Sequence, residues 1–151
     1  MHHKQVESAG PGDNVGFTVK GLKQEPESGD VMVLLKDTTI KGLNKGNKIT
    51  AQVQVLSHPN ELKVGYTPVG HIRTGRAPLK VVAILWKMGK DTGGAKADNP
   101  TALKTGDTAE IVFEPQLPFV ADTFEACEGL ARLALMESSQ PIMLGKIVAV
   151  E

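Results

Sequence analysis

The amino-acid sequence predicts an all-β protein: an antiparallel closed β-barrel preceded by a few strands of a second, incomplete β-barrel. Three observations predict it. Apolar and polar residues alternate with period two in segment after segment, the mark of strands with one buried face. Sixteen glycines and nine prolines interrupt those segments, where turns need a positive or a fixed φ. No stretch sustains a helical period between a cap and a stop. Short, frequent strands without a repeat close on themselves, because closure removes the unpaired edges that would otherwise aggregate.

Taken in order, residues 14–21 and 31–35 read as strands of the first, incomplete barrel. Residues 37–46, with Lys41, Gly42, Asn44, Lys45 and Gly46 and few large apolar side chains, read as a linker. The expected organisation is therefore a remnant at 1–40, a linker at 41–47 and a complete barrel at 48–151. Ile49, Ala51, Val53 and Val55 point one way while Thr50, Gln52 and Gln54 point the other. Residues 79–86 are apolar at nearly every position, which suits a strand covered on both faces or wrapped inside a closed barrel. Further strands are expected at 68–73, 108–114, 119–123, 132–137 and 142–150, and a short helical turn within 124–130. Turns fall at Pro11-Gly12, His58-Pro59, Gly89, Gly93-Gly94 and Asn99-Pro100.

A chain of 151 residues with 40% hydrophobic side chains can bury a core of ordinary size. Its 17 Lys and Arg balance 17 Asp and Glu, so net charge argues for neither nucleic acid nor membrane. The distribution is less even. Residues 63–104 carry eight basic and two acidic side chains, and residues 105–151 carry two basic and eight acidic. Whether this becomes a surface asymmetry depends on how the strands interleave. One cysteine, Cys127, with no signal peptide, predicts a reducing, cytoplasmic setting. The longest apolar runs, such as 81–86, fall far short of the roughly 18 residues that span a bilayer. Met1-His2-His3 reads as native sequence rather than a tag remnant.

No catalytic constellation or metal site is expected. His2, His3, His58 and His71 lack a cysteine pair or the spacing zinc requires; His58-Pro59 reads as a turn and His71 as a barrel residue. Cys127 lies in an acidic stretch, Glu125-Ala126-Cys127-Glu128, the wrong setting for a nucleophilic thiolate. Ser57, Ser138 and Ser139 lack a nucleophile elbow, and Glu110 and Glu114 read as a solvated barrel exterior. Gly89-Lys90-Asp91-Thr92-Gly93-Gly94 lacks the order of a phosphate loop and the helix that would follow one, so it reads as a mobile hairpin loop. Trp86 reads as a core or domain-interface anchor rather than a base-stacking platform.

Several separate words then carry a family resemblance. Met1-His2-His3 with Pro11-Gly12-Asp13-Asn14-Val15-Gly16-Phe17 and Val19-Lys20 resembles the closing strands of the second domain of the elongation factor one alpha class of translational GTPases. Ala51-Gln52-Val53, His58-Pro59, Gly65-Tyr66, Pro68-Val69 and Thr74 resemble the opening of its third domain. Asp98-Asn99-Pro100 with Leu103-Lys104-Thr105-Gly106-Asp107, and Phe124, Arg132, Ala134, Gly145 and Val148-Ala149-Val150-Glu151, continue the match. Leu117, Ala131, Met136 and Pro141 depart from the usual pattern. Arg73-Thr74-Gly75-Arg76, Trp86-Lys87-Met88-Gly89-Lys90 and Cys127-Glu128-Gly129-Leu130 look more like the divergent elongation factor-like proteins.

The resemblance implies a barrel of the elongation factor Tu/one alpha domain 3 type, from a longer protein that delivers aminoacyl-tRNA to the ribosome in a GTP-dependent manner. In such a protein this segment contacts the tRNA T-stem and packs on the GTPase domain. GTP or GDP and Mg would belong to that GTPase domain, absent here, and a guanine nucleotide exchange factor is a further implied partner. By the same resemblance the tRNA-facing residues are Arg73, Thr74 and Arg76 in one loop, and Ser138, Ser139 and Gln140 at a hairpin tip with Gly145 beyond. The same barrels occur in release-factor and ribosome-rescue GTPases and in the GTPase subunit of sulfate adenylyltransferase, and a free-standing binding barrel is a third reading.

Overall fold

A computed structural model describes residues 5–37, 39–40, 42–58 and 60–151. Met1-His2-His3, Lys41 of the expected linker and Pro59 of the expected turn lie outside the described residues. Eleven strands follow in chain order: β1 (Gly42–Leu43), β2 (Ile49–Val55), β3 (Leu62–Lys63), β4 (Val69–Ile72), β5 (Gly75–Met88), β6 (Ala97–Asp98), β7 (Ala102–Leu103), β8 (Thr108–Pro115), β9 (Phe119–Val120), β10 (Arg132–Glu137) and β11 (Gln140–Val150). Six of them close a ring. The order is β4-β10-β11-β2-β8-β5, and β5 pairs back to β4, every neighbour antiparallel. β6 extends the far end of β5, and the pairs β1–β9 and β3–β7 cap the ring. Among the described residues there is no α-helix, only single 3-10 turns at Lys90–Thr92 and Glu128–Leu130. The protein is all-β with a closed antiparallel barrel and additional strands.

Alternation fills the barrel. Ile49, Ala51, Val53 and Val55 of β2, Ala109, Ile111 and Phe113 of β8, Leu133 and Leu135 of β10 and Ile147 of β11 are all buried, and the residues between them face outward or are half-covered. Two-residue turns set the tight hairpins. Ser138 and Ser139 both take positive φ (46° and 68°) between the paired Glu137 and Gln140, the left-handed geometry whose twist suits a two-residue hairpin.

β5 departs from the expected alternation. Its ladder with β8 shifts register between Val81 and Ala83 and again between Ile84 and Trp86. Each bulge inserts an extra residue and turns the following side chains to the other face. Two such steps bring Val81, Ile84 and Lys87 inward, while Leu85 is exposed and Trp86 half-covered on the outside with the Lys96 ammonium 5.0 Å from its ring. Trp86 is thus outside the core, and the nearly continuous apolar run reflects a bulged strand rather than one covered on both faces.

Lys87 is buried at 8% exposure, so the barrel holds a cation inside its wall. Its ammonium lies 2.7 Å from Asp91 and 3.4 Å from Asp107, itself 2% exposed. The hydrogen bond with Asp91, ahead of the attraction of Asp107, raises the Lys87 pKa, and the same bond lowers that of Asp91. Asp107 also accepts the Lys104 backbone N–H at 2.9 Å. A Cβ on Gly89 would collide with the Asp107 carboxylate, so glycine is needed there. These contacts tie the 89–94 hairpin loop to the turn before β8.

Two segments differ from expectation. Gly42 and Leu43, within the expected linker, pair with Val120 and Phe119, and Leu43 sits in the core at 3% exposure. A single large apolar residue among polar ones sufficed to dock the segment. Residues 14–21 and 31–35, expected as strands, form no ladder. Strand conformation is stabilised only by a hydrogen-bonded neighbour, and none of the described residues offers those segments an edge. Phe17, Met32, Leu34 and Leu35 are accordingly exposed.

Candidate nucleic-acid interface

The barrel wall places a diagonal band of three cationic side chains and one histidine on its outer face. Arg76 on β5 is paired with His71 on β4, and His71 with Ala134 on β10. Arg132, two residues before Ala134 and therefore on the same face, is paired with Lys146 on β11. Arg76, His71, Arg132 and Lys146 thus cross four adjacent strands, over roughly 15 Å at about 4.8 Å per strand. Beyond Lys146 the row continues through Gln52 on β2 to Glu110 on β8, joined by a 3.0 Å hydrogen bond from the Gln52 amide to the Glu110 carboxylate.

Phe124 organises the middle of this band. The Arg132 guanidinium and the Lys146 ammonium each lie 5.5 Å from its ring, a cation–π arrangement that holds both side chains across the sheet. Glu128 pairs with Arg132, offsetting one of the charges. Among the described residues Arg76 and Lys146 have no acidic partner within ion-pair distance. An open groove of about 420 Å³ runs alongside, lined by Gln52, Gln54, Thr108, Leu144 and Gly145. Ala134, on the same outer face as Arg132, contributes only a methyl group between His71 and Leu144.

The seven residues singled out from the sequence fall into two places. Arg73 and Thr74 form the β4–β5 hairpin turn, Arg73 at a φ of 53°, with Arg76 just inside β5. Arg73 is not free: its Nε donates to the Gly129 carbonyl at 3.0 Å. Ser138, Ser139 and Gln140 sit at the other end of β10, about 17 Å away at 3.4 Å per residue. There the hairpin is held by Glu137, whose carboxylate lies 3.1 Å from His58 Nε2. Gly145 lies beside the cationic band, and its lack of a side chain has a packing cause: a Cβ would strike the Gln52 carbonyl and come within 2.7 Å of the Val53 Cγ1.

Arg132, Lys146 and His71 were not singled out from the sequence. The period-two pattern of β10 and β11 puts Arg132 and Lys146 outside, but their pairing across strands, and with Arg76, is visible only in the register. Half of the eight basic residues of 63–104 stand beside carboxylates once the chain is folded. Lys87 is buried with two carboxylates, Lys80 stands opposite Glu114, and Lys63 and Lys104 both approach Glu61. Two cations from the acidic half complete the band instead. Among the described residues no group of three His, Cys, Asp or Glu side chains could hold a metal ion. No helix of the described residues is long and apolar enough to cross a membrane.

A closed antiparallel ring of six strands places the chain in the class of β-barrel domains, in which loops and strand faces present side chains on a rigid frame. Residues 48–148 match the family described as GTP-eEF1A C-terminal domain-like. The chain is 35% identical to elongation factor 1-alpha of Ignicoccus hospitalis over 152 aligned positions, covering all of this chain and 34% of that protein. It is 39% identical to elongation factor 1-alpha of Plasmodium falciparum, covering 97% of this chain and 33% of the relative. The solved structure of sup35 complexed with GDP shares the fold at a TM-score of 0.65 and 23% identity, over 76% of this chain and 27% of that one. The chain therefore belongs to the elongation factor 1-alpha class of GTPases, as a C-terminal part, and spans about a third of the length of the curated relatives it matches.

Proposed function

We propose that this chain is the RNA-holding barrel of a translation elongation factor that delivers aminoacyl-tRNA to the ribosome in a GTP-dependent manner. Its outer wall contacts the tRNA T-stem while another face packs on the GTPase domain. Residues 1–40 would then close a second-domain barrel, and 48–151 form the third domain. The observation that carries this reading is the Arg76–His71–Arg132–Lys146 band on a rigid sheet. Base-paired RNA is recognised by shape and by phosphate and 2′-hydroxyl contacts, for which cations spaced across several strands suffice. Names of the relatives, elongation factor 1-alpha, support the same assignment.

The 151 residues contain no phosphate loop, so GTP, GDP and Mg do not fit here and would bind a part of the protein outside them. An exchange factor would act on that same part. The words at 73–76, 86–90 and 127–130 support a narrower kinship with the elongation factor-like group. A cytoplasmic location follows from the role.

The test is a titration of a short RNA hairpin at several salt concentrations against the chain and its Arg76→Ala/Lys146→Ala variant. Both side chains are exposed and lack an acidic partner among the described residues, so the barrel keeps its stability. The expected result is weaker binding, with the salt slope reduced by about one for each lost phosphate contact. An unchanged slope refutes the assignment of this wall to RNA.

A further inference from the structure

The β4–β5 hairpin turn is clamped between two other turns. On one side stands the turn 27–30 of the N-terminal segment, closed on itself: the Glu27 backbone N–H donates to Asp30 Oδ2 at 2.8 Å, and the Asp30 N–H donates to the Glu27 carbonyl at 3.1 Å. Gly29, at a φ of 106°, meets Gly75 so closely that a Cβ would lie 2.5 Å from the Gly75 Cα and 3.0 Å from its nitrogen. Only backbone touches backbone, so neither side can yield by rotating a side chain.

On the other side stands the 3-10 turn Glu128–Leu130. Arg73 donates to Gly129, and a Cβ on Gly129 would come within 2.7 Å of the Arg73 guanidinium. The next residue back, Glu128, holds Arg132. A continuous path of contacts therefore runs from Gly29 through the Arg73–Arg76 turn to Arg132, the centre of the cationic band.

We infer that Gly29 is a positioning residue: the 27–30 turn sets the orientation of the Arg73–Arg76 hairpin turn and so the fit of the band to RNA, without touching RNA itself. This rests on the RNA-binding reading above. The physical reason is that a contact between two backbones admits one separation, whereas side-chain contacts admit several. Pressing a side chain between Gly29 and Gly75 displaces the hairpin and, through Arg73, the turn that holds Arg132.

The experiment is a thermodynamic cycle on the 151-residue chain, read by NMR titration with a short base-paired RNA hairpin at low salt. Gly29→Val, with Gly29→Ala as the milder substitution should valine impair folding, is measured alone and in the Arg73→Ala/Arg76→Ala background. The expected result is a loss of RNA affinity of about threefold to tenfold in the otherwise unaltered chain, and of less than twofold in the double-Ala background. Gly21→Ala is the control. Gly21 also takes a positive φ, 78°, but faces open space, so it carries the backbone strain without the contact and leaves affinity unchanged.

Equal losses in both backgrounds overturn the inference, as does no loss from Gly29→Val, or an equal loss from Gly21→Ala. If Arg73→Ala/Arg76→Ala alone changes neither affinity nor salt slope, the RNA role of this turn fails and the inference with it. The two failures are thereby told apart.

Discussion

The barrel and the N-terminal segment use much the same residue types and reach opposite outcomes. In the barrel, Ile49, Ala51 and Val53 alternate with polar residues and are 1% exposed or less. In the segment before it, Val15, Phe17 and Val19 alternate just as regularly, and Phe17 remains 66% exposed. Alternation marks a residue run that can bury one face. It does not supply the neighbouring strand, and without one the backbone groups bond to water and the apolar face stays wet. Ring closure makes the difference, because each of the six strands finds a partner on both edges.

The largest contrast lies in the core. Phe113→Ala empties a site with no exposed surface and is expected to cost about 4 kcal/mol in urea denaturation. Phe17→Ala is expected to change stability by no more than about 0.5 kcal/mol. Equal effects would break the distinction between the two regions.

A second prediction asks whether the barrel's one wall-buried cation among the described residues belongs to the same cooperative unit. Lys87→Met strands Asp107, and the expected cost is about 3 kcal/mol, partly recovered by adding Asp107→Asn. A cost near zero would place Lys87 among the solvated surface charges. Smaller again is the seam between β2 and β11. Gly145→Ala forces a methyl group against the Gln52 carbonyl and the Val53 backbone, with an expected loss of about 2 kcal/mol seen as a lowered denaturation midpoint.

How much of this was legible beforehand follows from where the physics is local. The bounds of β10 and β2 could be read residue by residue, since Leu133 and Leu135, or Val53 and Val55, state their own facing. Ile84 could not be placed, because the bulge after Val81 reverses the facing of the strand and a second bulge restores it before Lys87, and no residue of the Ala83–Trp86 stretch announces either. The unpaired fate of 14–21 was hidden for the opposite reason: its pattern is sound, and the missing partner is not a property of the segment. Of the candidate site, Arg76 and Gly145 were legible through resemblance. Arg132 and Lys146 needed the register of β10 on β11, a relation between distant residues.

The smallest effect concerns Tyr66, half-buried against the barrel core, with its ring 5.6 Å from that of His58. Its hydroxyl is buried and has no hydrogen-bond partner among the described residues. Burial first, then the Glu137 carboxylate, push its pKa from 10.0 up to about 12. The folded value lies above the unfolded one, so the unfolded chain loses its proton first. Stability from this group is intact below about pH 10 and declines as pH rises from 10 toward 12. Denaturation at pH 9 and pH 11 should show the decline, and Tyr66→Phe should flatten it while changing stability at neutral pH by no more than about 1 kcal/mol. A Phe variant with the same alkaline decline would assign it to other groups.

Lys48 and Glu151 exchange two backbone hydrogen bonds, of 2.8 and 2.9 Å, at the open side of the β2–β11 pair. The domain is in this respect a bracelet with its clasp at one spot. The chain entering β2 and the chain leaving β11 therefore pass the ring side by side, and the Gly93-Gly94 bend, outside every strand, is a place where the backbone can be cut without unpairing a ladder. Two pieces divided at that bend remain held together by the ring itself.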